Sequence, residues 1–309
     1  MNKNRKSNTR QNGGKSVICI GLDAACFEQI RPLVAGGDLP NLEELLNRGF
    51  SSTLSTTTPP WTPSAWPSIT TGASPWTHGV YDFYDHTTEE PHLVSAMDLQ
   101  VPYLWEYLEK GNYNPIVVNV PVTHPIYRSS GSLVPGYLAP EGSDVLIEGE
   151  RAKQSALDHD YRIYARKTDS REATIAENEA LIDSRVRAAE TLADRQDWSF
   201  MMIQFQRTDS IFHTMGHDTE AVRRVYQKVD DAIGALLEMA NRDTTVIVVS
   251  DHGIHEYERT FRCNTWLRNQ GWLQTSTESE RHSWGETTKP KTEQTDETTS
   301  IPRHLLTAV

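Results

Sequence analysis

Cysteine is scarce in this chain: Cys19, Cys26 and Cys263 are the three among 309 residues. An odd, low count argues against a disulfide framework, and the lack of any Cys-x-x-Cys pair argues against a thiolate zinc site. No apolar run approaches the 18 residues of a membrane-crossing helix, so no membrane span is expected. Basic residues are outnumbered, 30 against 42 acidic, for a formal net charge of −12. That deficit removes the Lys and Arg surplus on which phosphate-backbone binding depends, so a nucleic-acid duplex is not an expected partner. The basic start, MNKNRKSNTRQNGGK, is followed by no apolar segment of the secretory type, and the expected compartment is the cytoplasm.

The chain does carry an alternation of short β-branched runs and amphipathic segments. Strands are predicted at Ser16–Ile20, Pro115–Val120, Ser199–Phe205 and Thr245–Val249. Helices are predicted over Leu39–Arg48, with Gly49 as its stop, over Leu104–Glu109, over Glu172–Arg195 and over Ala221–Ala240. The last of these carries apolar residues at Val222, Val225, Val229, Ile233, Leu236 and Leu237, the spacing of one helix face. Residues 51–76, rich in Ser, Thr, Pro and Trp, read as a loop with a helix beginning inside it. The pattern predicts an α/β fold, a mainly parallel sheet sandwiched by helices. The expected organisation is a disordered basic lead-in over 1–15, one catalytic domain over 16–273 with an irregular cap inserted at about 130–170, and a low-complexity, largely disordered tail over 274–309. Residues 275–300 of that tail are rich in Ser, Thr and acidic residues and hold no aliphatic side chain to build a core.

Carboxylates and histidines come after three of the predicted strands: Asp23, then Asp209 with His213, then Asp251 with His252. Sites of open α/β sheets form beyond the carboxyl ends of the strands, so these residues are placed to converge. Asp209 and His213 are four apart, one helical turn, and would share a face. Oxygen and imidazole donors without thiolate suit zinc or manganese. Taken singly, each has an ordinary explanation: an Asp after a strand is a common cap, an Asp-x-x-x-His pair arises by chance, and Asp251-His252 fits a helix cap beside a surface histidine.

The segment Pro59–Val80, PPWTPSAWPSITTGASPWTHGV, changes this balance. Together with GLDAA, LPNLEELLNRG, TDSIFH and SDHG it gives five ordered motifs, and from about Val17 to Leu273 the chain resembles the alkaline phosphatase superfamily, in its type I phosphodiesterase/nucleotide pyrophosphatase branch. The resemblance implies an alkaline phosphatase-like fold and a metal-dependent phosphoryl-transfer hydrolase. Thr62 occupies the nucleophile position, with Ser64 as the nearby alternative. A threonine hydroxyl is a weak nucleophile at neutral pH, and metal coordination remedies that. The resemblance implies two divalent ions, zinc first and manganese second. Asp23, Thr62, Asp251 and His252 surround one; Asp209 and His213 hold the other. His78 is expected to be buried and structural, and His217 to lie at the surface.

Two departures from the family pattern stand out. The second metal ordinarily takes another histidine from downstream of SDHG, where this chain has only His282 and His304 in unsuitable surroundings. The chain is therefore read as truncated, as completed by a partner chain that supplies the missing segment, or as a degenerate homologue. Nucleotide pyrophosphatases also carry an Asn three residues after the nucleophile, where this chain has Ala65; Pro63 has no N–H to offer, which leaves the Ser64 N–H or hydroxyl as transition-state donors beside the metals. No Cys-x-Pro-x-Arg sequence is present, which disfavours a sulfatase. The expected activity is a phosphodiesterase acting on a small phosphate ester through a phosphothreonine on Thr62. The alternatives are an impaired or truncated homologue with a binding or regulatory role, and a phosphomonoesterase or phosphomutase.

Overall fold

The computed structural model describes residues 15–87, 91–127 and 129–274. The lead-in, apart from its last residue, the low-complexity tail, apart from its first, and both His282 and His304 lie outside the described residues. In chain order the main elements are β1 (Ser16–Leu22), α1 (Phe27–Ala35), α2 (Pro40–Arg48), α3 (Thr62–Thr71), α4 (Pro75–His78), β2 (Tyr84–Asp85), β3 (His92–Leu93), α5 (Leu104–Lys110), β4 (Pro115–Val120), β5 (Ser132–Pro135), β6 (Val145–Ile147), β7 (Glu150–Ala152), α6 (Arg171–Arg195), β8 (Phe200–Phe205), α7 (Arg207–Met215), α8 (Thr219–Glu238), β9 (Thr244–Val249) and α9 (Cys263–Asn269).

Seven strands form one sheet in the order β7-β6-β5-β4-β8-β1-β9. β5, β4, β8, β1 and β9 run parallel, while β6 and β7 continue the sheet antiparallel. Parallel neighbours need crossovers, and the helices that make them cover the faces. Side chains alternate between two cores, as a period of two requires. Ile18, Ile20 and Leu22 of β1 pack with Met201, Ile203 and Phe205 of β8 against α6 and α8, through Ile182, Ala189, Val229 and Ile233. Cys19, Phe200 and Met202 face the other way, onto Trp66, Tyr103 and Trp105. The long helices start on their own caps: the Ser170 side chain accepts from Ala173 N at 3.3 Å, and Asp218 from Ala221 N at 3.0 Å.

In β4 the backbone interrupts the alternation. A bulge between Val118 and Val120 puts Asn119 at φ +63°, and Val120 joins the same core as Val117 rather than that of Val118. The bulge turns Asn119 toward β8, where its side-chain amide donates to the Gln204 backbone and side-chain oxygens, both at 2.9 Å.

The segment 130–170, read from sequence as an irregular cap over the sheet, instead widens the sheet with β5, β6 and β7. Its apolar runs, SLVP and VLI, are too short for periodicity to register; SLVP is a strand through pairing with β4, and VLI through pairing with β5 and β7. At the opposite end β9 is the last strand among the described residues, and Ile247 is 45 % exposed there.

Candidate functional site

The parallel strands point one way, so the residues just after β1, β8 and β9 gather at one end of the sheet. Asp23 comes directly after β1 and is fully buried. Its backbone N–H continues the ladder to Phe205 O at 3.1 Å, and its carbonyl accepts from the Thr208 hydroxyl at 2.6 Å. Ala24 turns the chain at φ +55°, a left-handed conformation strained for a residue with a Cβ, and its N–H donates to Asp251 Oδ1 at 3.1 Å. The Asp251 carbonyl in turn accepts from the Thr56 hydroxyl at 2.6 Å.

The two Asp23 oxygens have separate duties. Oδ2 accepts from the Gln204 amide at 2.6 Å and from the Trp66 indole at 3.1 Å. Behind Gln204 stands Asn119, and behind Asn119 stands Arg185, whose Nη2 donates to the Asn119 oxygen at 3.2 Å. This buried chain of hydrogen bonds fixes the carboxylate plane and leaves Oδ1 facing Thr62 Oγ1 at 3.4 Å and His252 Nε2 at 3.6 Å. The indole reaches Asp23 only because Gly21 lies under it; a Cβ on Gly21 would stand 2.3 Å from Trp66 Cη2.

Thr62 is the first residue of α3 and is buried. His252 Nδ1 lies 3.0 Å from the Gly253 carbonyl, which can only accept, so the proton belongs on Nδ1 and Nε2 presents a lone pair. The Thr62 hydroxyl lies 3.1 Å from that Nε2. Asp251 Oδ2 is 3.3 Å from the same nitrogen, is buried, and has no hydrogen-bond partner among the described residues. Ligand atoms of Asp23, Asp251 and His252 all fall within 4.8 Å of one another. A buried carboxylate oxygen without a donor, beside a second buried carboxylate and an imidazole lone pair, is a set that fits a divalent cation. The electrostatics agree. Burial, and then the charges of Asp251 and Asp209, hold the Asp23 carboxyl well above the usual range. Burial pushes Asp251 up to about 7 against the hydrogen bond from Ala24. A cation would relieve both.

Asp209 and His213 share one face of α7, with Nε2 and Oδ1 3.3 Å apart, and the hydrogen bond to Asp209 raises the His213 imidazole above its ordinary value. The Thr208 hydroxyl, one residue before Asp209, donates to the Asp23 carbonyl and ties the start of α7 to the first cluster, and the Asp209 charge raises both Asp23 and Asp251. Among the described residues no third His, Cys or carboxylate completes a group around Asp209 and His213.

Ser64 does not serve as sequence reasoning allowed. Its hydroxyl donates to Thr57 Oγ1 at 3.1 Å and Pro59 O at 3.4 Å, and its N–H donates to Trp61 O at 3.0 Å. The loop before α3 takes the hydroxyl and the first turn of α3 takes the N–H, so both groups are already engaged within the chain. His78 is buried as expected, with Nε2 2.9 Å from the Ser68 hydroxyl and Nδ1 accepting from Val80 N at 3.2 Å. His217 is at the surface, 3.9 Å from Glu256. Residues that sequence reasoning missed include Gln204, Asn119, Arg185, Thr208 and Tyr137, whose phenol is raised by burial and then by the Asp209 and Asp23 charges. Arg207, two residues before Asp209, is also buried. Lone polar residues in otherwise apolar strands, Gln204 in FMMIQF and Asn119 in PIVVNV, were the signals available for this group.

The family model for type I phosphodiesterase/nucleotide pyrophosphatase matches residues 17–306. Phosphonoacetate hydrolase from Sinorhizobium meliloti 1021, in complex with phosphonoacetate, superimposes with a TM-score of 0.61 at 16 % identity, covering 84 % of this chain and 63 % of that one. Its complex with phosphonoformate gives 0.56 at 17 % identity, over 77 % of this chain and 57 % of that one. Murine ectonucleotide pyrophosphatase/phosphodiesterase 5, an inactive form in complex with AMP, gives 0.50 at 13 % identity, over 78 % and 57 %. The chain thus spans less than two thirds of the length of these proteins, and at such identities the likeness concerns the fold. No curated protein sequence matches this chain. The family match covers nearly the whole sequence, and the chain belongs to the type I phosphodiesterase/nucleotide pyrophosphatase family.

Proposed function

We propose that this protein is a metal-dependent phosphodiesterase that works through a phosphothreonine on Thr62. The observation that carries the reading is the position of the Thr62 hydroxyl, buried at the start of α3 and 3.1 Å from a His252 lone pair, beside the orphaned Asp251 oxygen. Asp23, Asp251 and His252 would hold one divalent ion next to Thr62, and Asp209 with His213 would hold a second. Zinc suits this mixed oxygen and imidazole set, with manganese next. When bound, such ions lower the pKa of coordinated hydroxyl groups and offset charge on the phosphoryl oxygens.

The chain's own groups account for the rest. Thr62 Oγ attacks phosphorus in line with the departing ester oxygen; the Thr62 O–P bond forms as the ester P–O bond breaks. The hydroxyl proton leaves toward Asp23 Oδ1, 3.4 Å away, because the single Nε2 lone pair of His252 would be committed to the ion whereas a carboxylate oxygen keeps a second one. The departing alkoxide is protonated and leaves as the alcohol. Water then opens the phosphothreonine, releasing a phosphomonoester and restoring the hydroxyl. The Thr62 N–H, at the positive end of α3, has no acceptor among the described residues and is a donor for a phosphoryl oxygen in place of the excluded Ser64.

The test is hydrolysis of bis-p-nitrophenyl phosphate with added zinc or manganese by the wild type, Thr62→Ala and Asp251→Ala. Metal-dependent turnover in the wild type, lost by at least about a hundredfold in both variants, is the expected result. Unchanged turnover in pure, folded Thr62→Ala would sink the mechanism. A second reading, a homologue that binds phosphate esters without turning them over, rests on the two-residue Asp209/His213 pair; it takes over if the folded wild type binds the ester but shows no turnover with either metal.

A further inference from the structure

Two arginines are buried among the described residues, and they differ in one respect. Arg185 is saturated: its guanidinium donates to the Arg162 and Ile163 carbonyls, to Ser184 and to Asn119, and lies over the Tyr161 ring. Arg207 makes one hydrogen bond, from Nη2 to Gln206 Oε1 at 2.9 Å, and no ion pair among the described residues. A buried guanidinium with most of its donors unused is costly unless an anion completes it.

Arg207 lines a cleft of about 650 Å³ between α7, the start of α6 and the segment before it. Asn178 lines the same cleft; it is 3 % exposed, an amide N–H is used on Thr174 O at 2.8 Å, and its Oδ1 has no partner among the described residues. The rim carries the exposed side chains of Arg166 and Lys167, for which no ion pair is present among the described residues. Of the rim acids, Glu177 is held by Arg162, and Asp169 remains. Ser210 and Thr214 form the α7 wall. Each comes one residue after a candidate metal ligand, Asp209 or His213, so the cleft opens about 100° around α7 from the metal-facing side.

We propose that this cleft is a subsite for the leaving part of the substrate, and that this part carries its own anionic group and a hydroxyl, as a polyol phosphate does. The anion would complete the spare guanidinium of Arg207, and the hydroxyl would donate to Asn178 Oδ1. This deepens the phosphodiesterase reading and rests on it for the word substrate. The binding site itself stands on Arg207, Asn178 and the cleft alone.

The test separates the two. First, metal-free protein prepared with a chelator is titrated calorimetrically with sn-glycerol 3-phosphate and with glycerol. The wild type should bind glycerol 3-phosphate and not glycerol. Arg207→Gln should weaken binding at least about tenfold and Asn178→Leu about threefold or more. Lys167→Glu, at an exposed position where folding is not at stake, should weaken it about threefold. No binding by the folded wild type, or equal affinity in Arg207→Gln and Lys167→Glu, overturns the proposal, whatever the outcome for turnover. Second, if the enzyme turns over diesters, kcat/KM for bis(glycerol 3-phospho) diesters over bis-p-nitrophenyl phosphate should favour the anionic substrate, chiefly through KM. That preference should collapse toward one in Arg207→Gln; a preserved ratio overturns the subsite.

Discussion

Gln204 offers the sharpest check on how this site is built. It is fully buried on β8 and gives its amide to Asp23 Oδ2 at 2.6 Å while accepting from Asn119. Gln204→Leu keeps the volume and apolar contacts but deletes the donor. A hydrogen bond to a charged group contributes about 1.5–3 kcal/mol, and loss of a group that orients a ligand costs about 10–100-fold in metal affinity. The effect should be specific to the metal-bound state. Without metal, burial and neighbouring charges hold the Asp23 carboxyl well above its usual range, which disfavours the ionised form that the Gln204 bond strengthens. Asn119 also keeps its bond to the Gln204 backbone carbonyl. At saturating free zinc, the metal-dependent gain in stability should therefore shrink by about 1.4–2.7 kcal/mol, the free-energy equivalent of that affinity loss. Calorimetric titration of zinc and thermal melts with and without metal measure the two quantities. Wild-type zinc affinity in the folded variant, or a stability loss of equal size with and without metal, would refute the assignment of Gln204 as a positioning residue for Asp23.

Gly21→Ala should act on the same carboxylate from the other side: the new Cβ meets Trp66 Cη2 at 2.3 Å, displaces the indole from Asp23, and costs about 1–3 kcal/mol as overpacking; a wild-type Tm with wild-type zinc affinity would contradict this. The metal-free protein should lose stability as pH rises from about 4 to about 7. Asp251 titrates near 7 in the native state but near 4 when unfolded, so over that window the native state holds the extra proton. The stability difference between wild type and Asp251→Asn, followed by chelator-treated melts at about pH 5 and about pH 8, should move against the wild type at the higher pH, and added zinc should remove the trend; a pH-independent difference would refute it. Asp230, buried on α8, accepts from Asn41 N at 2.9 Å, Asn41 Nδ2 at 2.9 Å and Leu42 N at 2.8 Å, and so closes the start of α2. Asp230→Ala should lower stability by about 2–4 kcal/mol with zinc affinity unchanged, and a loss below about 0.5 kcal/mol by chemical denaturation would show that α2 is held by other contacts.

Much of this fold is local information. PIVVNV is a strand over the same residues in sequence and structure, because a β-branched run between turn residues has no better option. The face of α8 follows from the spacing of its apolar residues, and Asp23 and Asp251 were legible as carboxylates at the ends of strands. The short strands between 132 and 152 were not legible, since their runs hold too few residues for a period to show and exist as strands only through pairing with β4 and with each other. The distinction between Thr62 and Ser64 was likewise tertiary. Two residues apart, they differ by a rotation around α3 that sends one hydroxyl to His252 and the other to Thr57. The support behind Asp23 depends on a register set between strands far apart in the chain, where Ile20 stands opposite Ile203 and Gly21 opposite Gln204. Sequence alone determined that strands β1 and β9 would be followed by carboxylates. Which glutamine, indole and arginine would stand behind them was decided by the packing of segments distant in the chain, because hydrogen bonds between buried groups form only where the assembled sheet brings donor and acceptor within about 3 Å.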